Sequence, residues 1–304
     1  MADEDRGRQM KLSFRVLPQN VDWRDLRDFW SQADEIPSYY AGWIFDHFVA
    51  QTRKPVQDGP VPSGPPEMTD GPCYEAWTLL TYLAAHTNRV RLGTLVTSVT
   101  HRHPAVFANI ITTLHELSNG RVDIGLGAGW NADEHAQFGI DFPSTRERFD
   151  RLEEYLNVLT LLMGPGPVSF DGRHYSLRDA VCNPRPIQHP RPPICVGGEG
   201  VRRTLPAVAR WADHWNYSGG SVDEFRAKLA ILGQLCADQG RSIDDLDISI
   251  QLKLTDVDSL MRAAHPFVAA GINHLFVGFT PPLSRTDLLA VAERASSEFD
   301  IQQS

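Results

Sequence analysis

Residues 90–130 read VRLGTLVTSVTHRHPAVFANIITTLHELSNGRVDIGLGAGW, and this stretch decides the fold. The apolar run over 90–97 predicts a strand. Pro104 is a favoured first helical residue, and Val106, Ile110, Leu114 and Leu117 fall on one face of the helix it opens. Asn119-Gly120 is a helix stop, and residues 122–127 form the next strand. A short strand, an amphipathic helix and a second strand in direct succession are the unit of a parallel sheet with helical crossovers.

The same rhythm extends in both directions. Strands are predicted at 11–17 and 41–45 on one side, and at 193–196, 214–217, 248–254 and 274–279 on the other. A polar helix starts near residue 22. Ser144-x-x-Glu147 is a capping box that opens a helix with Phe149, Leu152, Leu156, Leu159 and Met163 as its buried stripe. A last helix runs to about residue 299. Eight strands with helical connections predict an α/β fold, a closed (β/α)8 TIM barrel with insertion loops; a doubly wound sheet needs fewer strands and is the weaker alternative. Two segments interrupt the pattern. Residues 49–72, rich in Pro and Gly, follow the second strand and form either a lid over a ligand or a tolerated surface insertion. Residues 168–175, VSFDGRHY, predict a hairpin with an Asp-Gly turn and, lying before a strand, a structural role.

Composition removes several classes of function. The 304 residues carry a formal charge of -9 and 42% hydrophobic residues, with no basic stripe interleaved with aromatics, which argues against nucleic acid as a partner. No apolar run approaches the roughly 20 residues that cross a bilayer. Cys73, Cys182, Cys195 and Cys236 are widely spaced and form no C-x-x-C pair, so neither structural zinc nor a disulfide framework is expected, and a reducing cytoplasm fits. Nucleophile elbow, P-loop lysine and H-E-x-x-H motifs are all missing, which leaves hydrolysis and phosphoryl transfer without support.

The candidate functional residues sit where strands end. Asp46-His47-Phe48 closes the second strand, and an imidazole there points into the barrel mouth, suited to proton transfer near neutral pH or to bonding a loop carbonyl. Gly125-x-Gly127-x-Gly129 closes the fourth strand; such glycines let backbone approach a flat ring or a phosphate, but the spacing is not the dinucleotide fingerprint. Trp130 beside them walls a pocket or packs in the core. Gly197-Gly198-Glu199-Gly200 follows the fifth strand and opens a helix carrying Arg202 and Arg203, which makes either a phosphate cradle or a tight turn. His101-x-His103 lacks a third ligand at recognisable spacing, so no metal is expected. Asp133-Glu134-His135 decorates the turn after the fourth strand, with His135 as the member able to face the mouth.

Taken in order and spacing, residues 45–48 (FDHF), 90–105, 117–131, 147–154 (ERFDRLEE) and 193–200 (PICVGGEG) resemble the luciferase-like monooxygenase superfamily, over nearly the whole chain from 11 to about 279. Within it the chain looks like the branch of coenzyme F420-dependent oxidoreductases. Residues 1–9, polar and charged, read as a flexible tail; the resemblance implies one barrel domain over residues 10–304, a homodimer, and hydride transfer between coenzyme F420 and a small organic substrate. It implies that His47 handles the proton and that Asp46 touches the cofactor. Thr97 and Ser98 would lie in a bulged segment, often built on a non-proline cis peptide, that supports the ring from behind. Gly127, Gly129 and Trp130 would be ring-side contacts, and Gly197, Gly198, Glu199 and Gly200 phosphate-side ones. An FMN-dependent monooxygenase fed by a separate flavin reductase is the alternative, and a non-catalytic flavin-binding barrel a third reading. Sugar-phosphate dehydrogenases of the family carry a Glu where Trp130 stands and a Trp soon after Asp-His-Phe, which argues against glucose-6-phosphate here. Phe149, where FMN-using members often have Tyr, tilts the resemblance towards F420.

Overall fold

In the computed structural model, residues 9–52, 67–69, 71–188 and 190–303 are described. Eight parallel strands close into a barrel: β1 (Lys11–Val16), β2 (Tyr39–Ile44), β3 (Arg91–Thr94), β4 (Val122–Gly127), β5 (Ile194–Gly197), β6 (His214–Tyr217), β7 (Asp247–Lys253) and β8 (His274–Phe279). The hydrogen-bonded order is β5-β6-β7-β8-β1-β2-β3-β4, and pairing of Ile194 with Ile124 joins the two ends. The (β/α)8 expectation holds, and each of the eight strands overlaps the segment the sequence predicts.

Alternation along the strands separates two layers. Phe14 turns outward and packs edge-on against Phe29 and Trp30 of the helix Trp23–Asp34, with ring centroids 5.8 and 4.9 Å apart. Its neighbour Ser13 bonds His274 Nε2 across the sheet at 2.7 Å. The lumen is filled by side chains: Trp43 packs on Phe276 at 5.3 Å and on His214 at 5.9 Å, and His214 stacks on His274 at 5.0 Å. The barrel is therefore plugged below its mouth.

β3 departs from expectation. It ends at Thr94 rather than Thr97; the Leu95–Val96 peptide that follows is cis, and residues 97–98 pair with β4, Thr97 opposite Leu126 and Ser98 opposite Gly127. The bulge expected at Thr97 and Ser98 thus begins two residues earlier. It also explains the β4 glycines. A β-carbon at Gly125 would lie 1.7 Å from the Thr94 carbonyl oxygen, and one at Gly127 2.8 Å from Val96. These two glycines make room for the bulge.

The helix Pro104–Leu117 begins and ends where predicted, but it is rotated by about one residue. Phe107, Ile111 and Leu114 are buried, whereas Val106 is 57% and Leu117 64% exposed. Phe107 sets the rotation by wedging against Trp77 and Tyr155, at 5.0 and 5.9 Å. In the helix Thr145–Met163, Ser144 accepts the Glu147 amide at 3.3 Å, yet the Glu147 carboxylate turns to Arg151, so only half of the predicted box forms. A complete box, Ser221 with Glu224, opens Val222–Asp238. The hairpin Val168–Asp171 with Ser176–Ala180 has a wider turn than Asp-Gly, because the Glu154 carboxylate gathers the amides of Arg173, His174 and Tyr175. Of the 49–72 segment, Ala50–Thr52 pairs with Glu67–Thr69; the rest of the expected lid lies largely outside the described residues, as do residues 1–8 of the tail. No helix among the described residues is long and apolar enough to cross a membrane.

Candidate active site

A cavity of about 580 Å³ opens at the C-terminal ends of the strands. Most of its wall comes from the residues just beyond β2, β3, β4 and β5, the position at which barrels of this architecture do chemistry.

His47 lies on its wall. Phe45 and Trp130 bracket the imidazole edge-on, with centroids at 5.0 and 5.5 Å. Nδ1 lies 2.9 Å from Glu134 Oε2, and the other oxygen of Glu134 accepts the Phe48 amide at 2.7 Å. Glu134 reaches this position because Asn131 caps the short helix Ala132–Gln137 and accepts the Glu134 amide, which sets the carboxylate in the first turn, facing the mouth. Burial works against its ionisation, but the His47 hydrogen bond and charge, the Phe48 amide and His101 together hold its carboxyl below the ordinary value. Glu134 is therefore a carboxylate at neutral pH. A carboxylate only accepts, so the neutral His47 ring carries its proton on Nδ1. Nε2 makes no hydrogen bond among the described residues and faces the cavity that His47 lines.

Asp46 lines the same wall, but its carboxylate is fully engaged. Oδ2 accepts from Arg102 Nη1 at 2.5 Å and from Thr97 Oγ1 at 2.7 Å, and Oδ1 accepts from Arg102 Nη2 at 3.0 Å. Arg102 also binds Glu75. Thr97 lies behind the wall, where it accepts the Trp77 indole N–H at 3.0 Å. Asp46 and Thr97 thus pin the end of β2 to the bulge.

A second chain of hydrogen bonds has a direction. The Asn131 carbonyl accepts from His135 Nδ1 at 2.6 Å, so Nε2 of the neutral ring accepts the Thr100 hydroxyl at 2.6 Å. Thr100 Oγ1 then accepts the Ser98 hydroxyl at 2.6 Å. Ser98, on the cavity wall, also accepts the Thr100 amide at 3.4 Å and keeps one lone pair to offer. His101, His135 and Glu134 bring potential ligand atoms within 4.8 Å of one another, a convergence that spacing in the sequence conceals. Both Glu134 oxygens and both His135 nitrogens are hydrogen-bonded, Glu134 to His47 and the Phe48 amide, His135 to Thr100 and the Asn131 carbonyl. Burial pushes His101 down to about 4, leaving it neutral, 3.7 Å from Glu134. His103 points away and caps the helix that follows.

The remaining predicted positions divide. Gly129, Trp130, Gly197 and Gly198 lie on the wall; Gly127, Glu199 and Gly200 do not. Gly129 has φ +81°, and a β-carbon there would meet Ser98 Oγ at 2.3 Å, so bare backbone is required. The helix after β5 starts at Thr204, later than expected: the amides of Arg203, Thr204 and Leu205 turn back onto the Gly200 carbonyl. Glu199 leaves the mouth to bind Lys228 at 2.5 Å. The sequence reading missed Glu134 as a partner of His47, and missed Arg102, Asn216 and Gln251 entirely. The last two lie at strand ends on the cavity wall, Gln251 Nε2 donating to Asn216 Oδ1 at 2.7 Å.

Comparison with known proteins gives concordant likenesses. The sequence profile described as luciferase-like monooxygenase matches residues 11–295. A relative in Kineococcus radiotolerans, named F420-dependent glucose-6-phosphate dehydrogenase, is 32% identical over 255 residues, which are 83% of this chain and 70% of the relative. An F420-dependent secondary alcohol dehydrogenase solved with an F420-acetone adduct superposes with a TM-score of 0.78 at 16% identity, covering 93% of this chain and 99% of that one. The coenzyme F420-dependent tetrahydromethanopterin reductase of Methanopyrus kandleri gives 0.78 at 17% identity, covering 96% and 99%. At these identities the two structures show a common fold.

Proposed function

The chain belongs to the luciferase-like monooxygenase family, and from that premise we propose that it is an F420-dependent oxidoreductase, moving a hydride between the deazaflavin and a small organic substrate in the barrel mouth. The observation that carries the reading is the likeness to a relative named for F420 dependence over more than two thirds of both chains. The site fits such a group. Its volume of about 580 Å³ lies within the range of about 300–1,000 Å³ usual for small-molecule pockets. Phe45, Leu95 and Val96 supply apolar wall, and Gly129 and Gly198, at φ +81° and +115°, present bare backbone.

Ser98, Gly129, Trp130, Gly197 and Gly198 are the residues we assign to holding the cofactor, with Asp46 and Thr97 bracing the wall behind. When bound, coenzyme F420 supplies the carbon that accepts or gives up the hydride. His47 takes or returns the accompanying proton, and Phe45 and Trp130 keep its ring in place and shield it from water. Among the described cavity-lining residues Arg15 is the one arginine and there is no lysine. A dianionic phosphate ester would be poorly served, so we assign an unphosphorylated alcohol or carbonyl compound as substrate. We read the protein as a cytoplasmic homodimer, on the family resemblance. Titration of the purified protein with F420 and with FMN tests the cofactor: micromolar F420 affinity is expected, and FMN binding without F420 binding would overturn the reading in favour of a two-component monooxygenase.

A further inference from the structure

We propose that Glu134 is the positioning residue that fixes the tautomer of His47, so that Nε2, and only Nε2, exchanges a proton with the substrate. The chemistry rests on the oxidoreductase reading above; the tautomer does not.

The argument is geometric. The Glu134 carboxylate is held at both ends, Oε1 by the Phe48 amide at 2.7 Å and Oε2 by His47 Nδ1 at 2.9 Å. Because Phe48 directly follows His47, the two bonds fix both the backbone and the ring of the residue that faces the cavity. The carboxylate side chain is 1% exposed, so water does not compete for it. His101, the other ring beside it, is uncharged near neutral pH and stands off at 3.7 Å. Neutral His47 therefore presents an Nε2 lone pair to the cavity. In the oxidative direction the O–H bond of an alcohol breaks and its proton passes to Nε2. The O–H electron pair becomes the second bond of the carbonyl, and the C–H pair leaves as hydride to the deazaflavin. The imidazolium that forms keeps its Nδ1 proton against Glu134. In the reverse direction Nε2 returns the proton to the carbonyl oxygen.

The arrangement makes Glu134→Gln a specific probe. The Phe48 N–H requires an acceptor, so it keeps the Gln Oε1, and the amide NH2 is turned towards His47 Nδ1. A donor there forces Nδ1 to accept, and the ring proton moves to Nε2. The experiment is ¹⁵N NMR of the ring nitrogens at pH 8 in wild type, E134Q and E134A, with His47 identified by its loss in H47Q. Wild type should show protonated Nδ1 and bare Nε2, E134Q the reverse, and E134A a mixture. The wild-type spectrum alone tests the assignment if a variant fails to fold. With F420, E134Q should keep the cofactor Kd and the substrate KM within about threefold while kcat falls about a hundredfold or more, the range of a lost general base. An Nε2-protonated wild-type ring, or an E134Q enzyme whose kcat stays within twofold of wild type, would overturn the proposal. Protein that shows the expected tautomers but binds no F420 would sustain the assignment of Glu134 and defeat the cofactor reading instead.

Discussion

Arg102→Met removes the cation from a buried carboxylate and should be the most damaging single polar substitution near the mouth. The Arg102 side chain is 12% exposed and that of Asp46 fully buried, and two parallel hydrogen bonds join them. Removal of one partner from such a pair costs about 3–5 kcal/mol, because the other charge remains buried without compensation. Among the described residues Thr97 would be the one remaining side-chain donor to Asp46. Glu75, the third member, is 39% exposed and contributes little. An unfolding entropy of about 2.1 cal/mol/K per residue over 304 residues gives roughly 0.6 kcal/mol/K, so Tm should drop by about 5–8 °C. The loss is relieved if the buried charge is also removed: Asp46→Asn added to R102M should restore at least half of it, which makes a large coupling in the double-mutant cycle. Urea unfolding followed by tryptophan fluorescence gives all four corners of the cycle. An R102M protein that loses under about 1 kcal/mol, or a double variant no more stable than R102M, would refute the account of how β2 is pinned to the bulge.

Four further outcomes follow from other parts of the chain. Burial pushes both His101 and His214 down to about 4, so the unfolded chain binds the extra protons; stability should be full above about pH 6.5 and fall towards pH 4, by up to about 1.4 kcal/mol per pH unit per histidine. Urea midpoints at pH 7, 6 and 5 check this, and a flat profile over that interval would contradict it. Gly125→Ala sets a β-carbon 1.7 Å from a backbone carbonyl that cannot swing aside, so the barrel should lose about 3 kcal/mol or more or fail to fold. Gly139→Ala, with open space and φ +63°, should cost only about 1–2 kcal/mol by thermal melting. Trp130→Ala, at a residue 48% exposed, should leave stability within about 0.5 kcal/mol. It should still weaken ligand affinity by up to about tenfold in a binding titration, the worth of one aromatic contact.

The parts of this molecule that are legible in its sequence are those governed by local pattern. β8 coincides with its predicted bounds because a short apolar run there ends at a clear break. His47 was readable for the same reason: it follows a strand, and strand ends of a barrel form its mouth. The bulge after Thr94 was displaced in the reading because its start is set by contact with Gly125 and Gly127 on the neighbouring strand, not by its own residues. The face of Pro104–Leu117 was misjudged by one position because Val106 and Phe107 are equally apolar, and only the rings of Trp77 and Tyr155 choose between them. Glu134 looked like an ordinary first-turn acid. Its partner lies 87 residues away, a distance at which periodicity and spacing carry no information.

The fit between the bulge and β4 also bears on how such a barrel can change. The Thr94 carbonyl occupies the room that a side chain at Gly125 would need, and Val96 the room at Gly127. Neither locus can drift alone: a larger residue on β4 is blocked while the bulge stands, and straightening the bulge would leave a gap over two glycines. A library meant to remodel the site should therefore randomise 94–98 and 125–129 together.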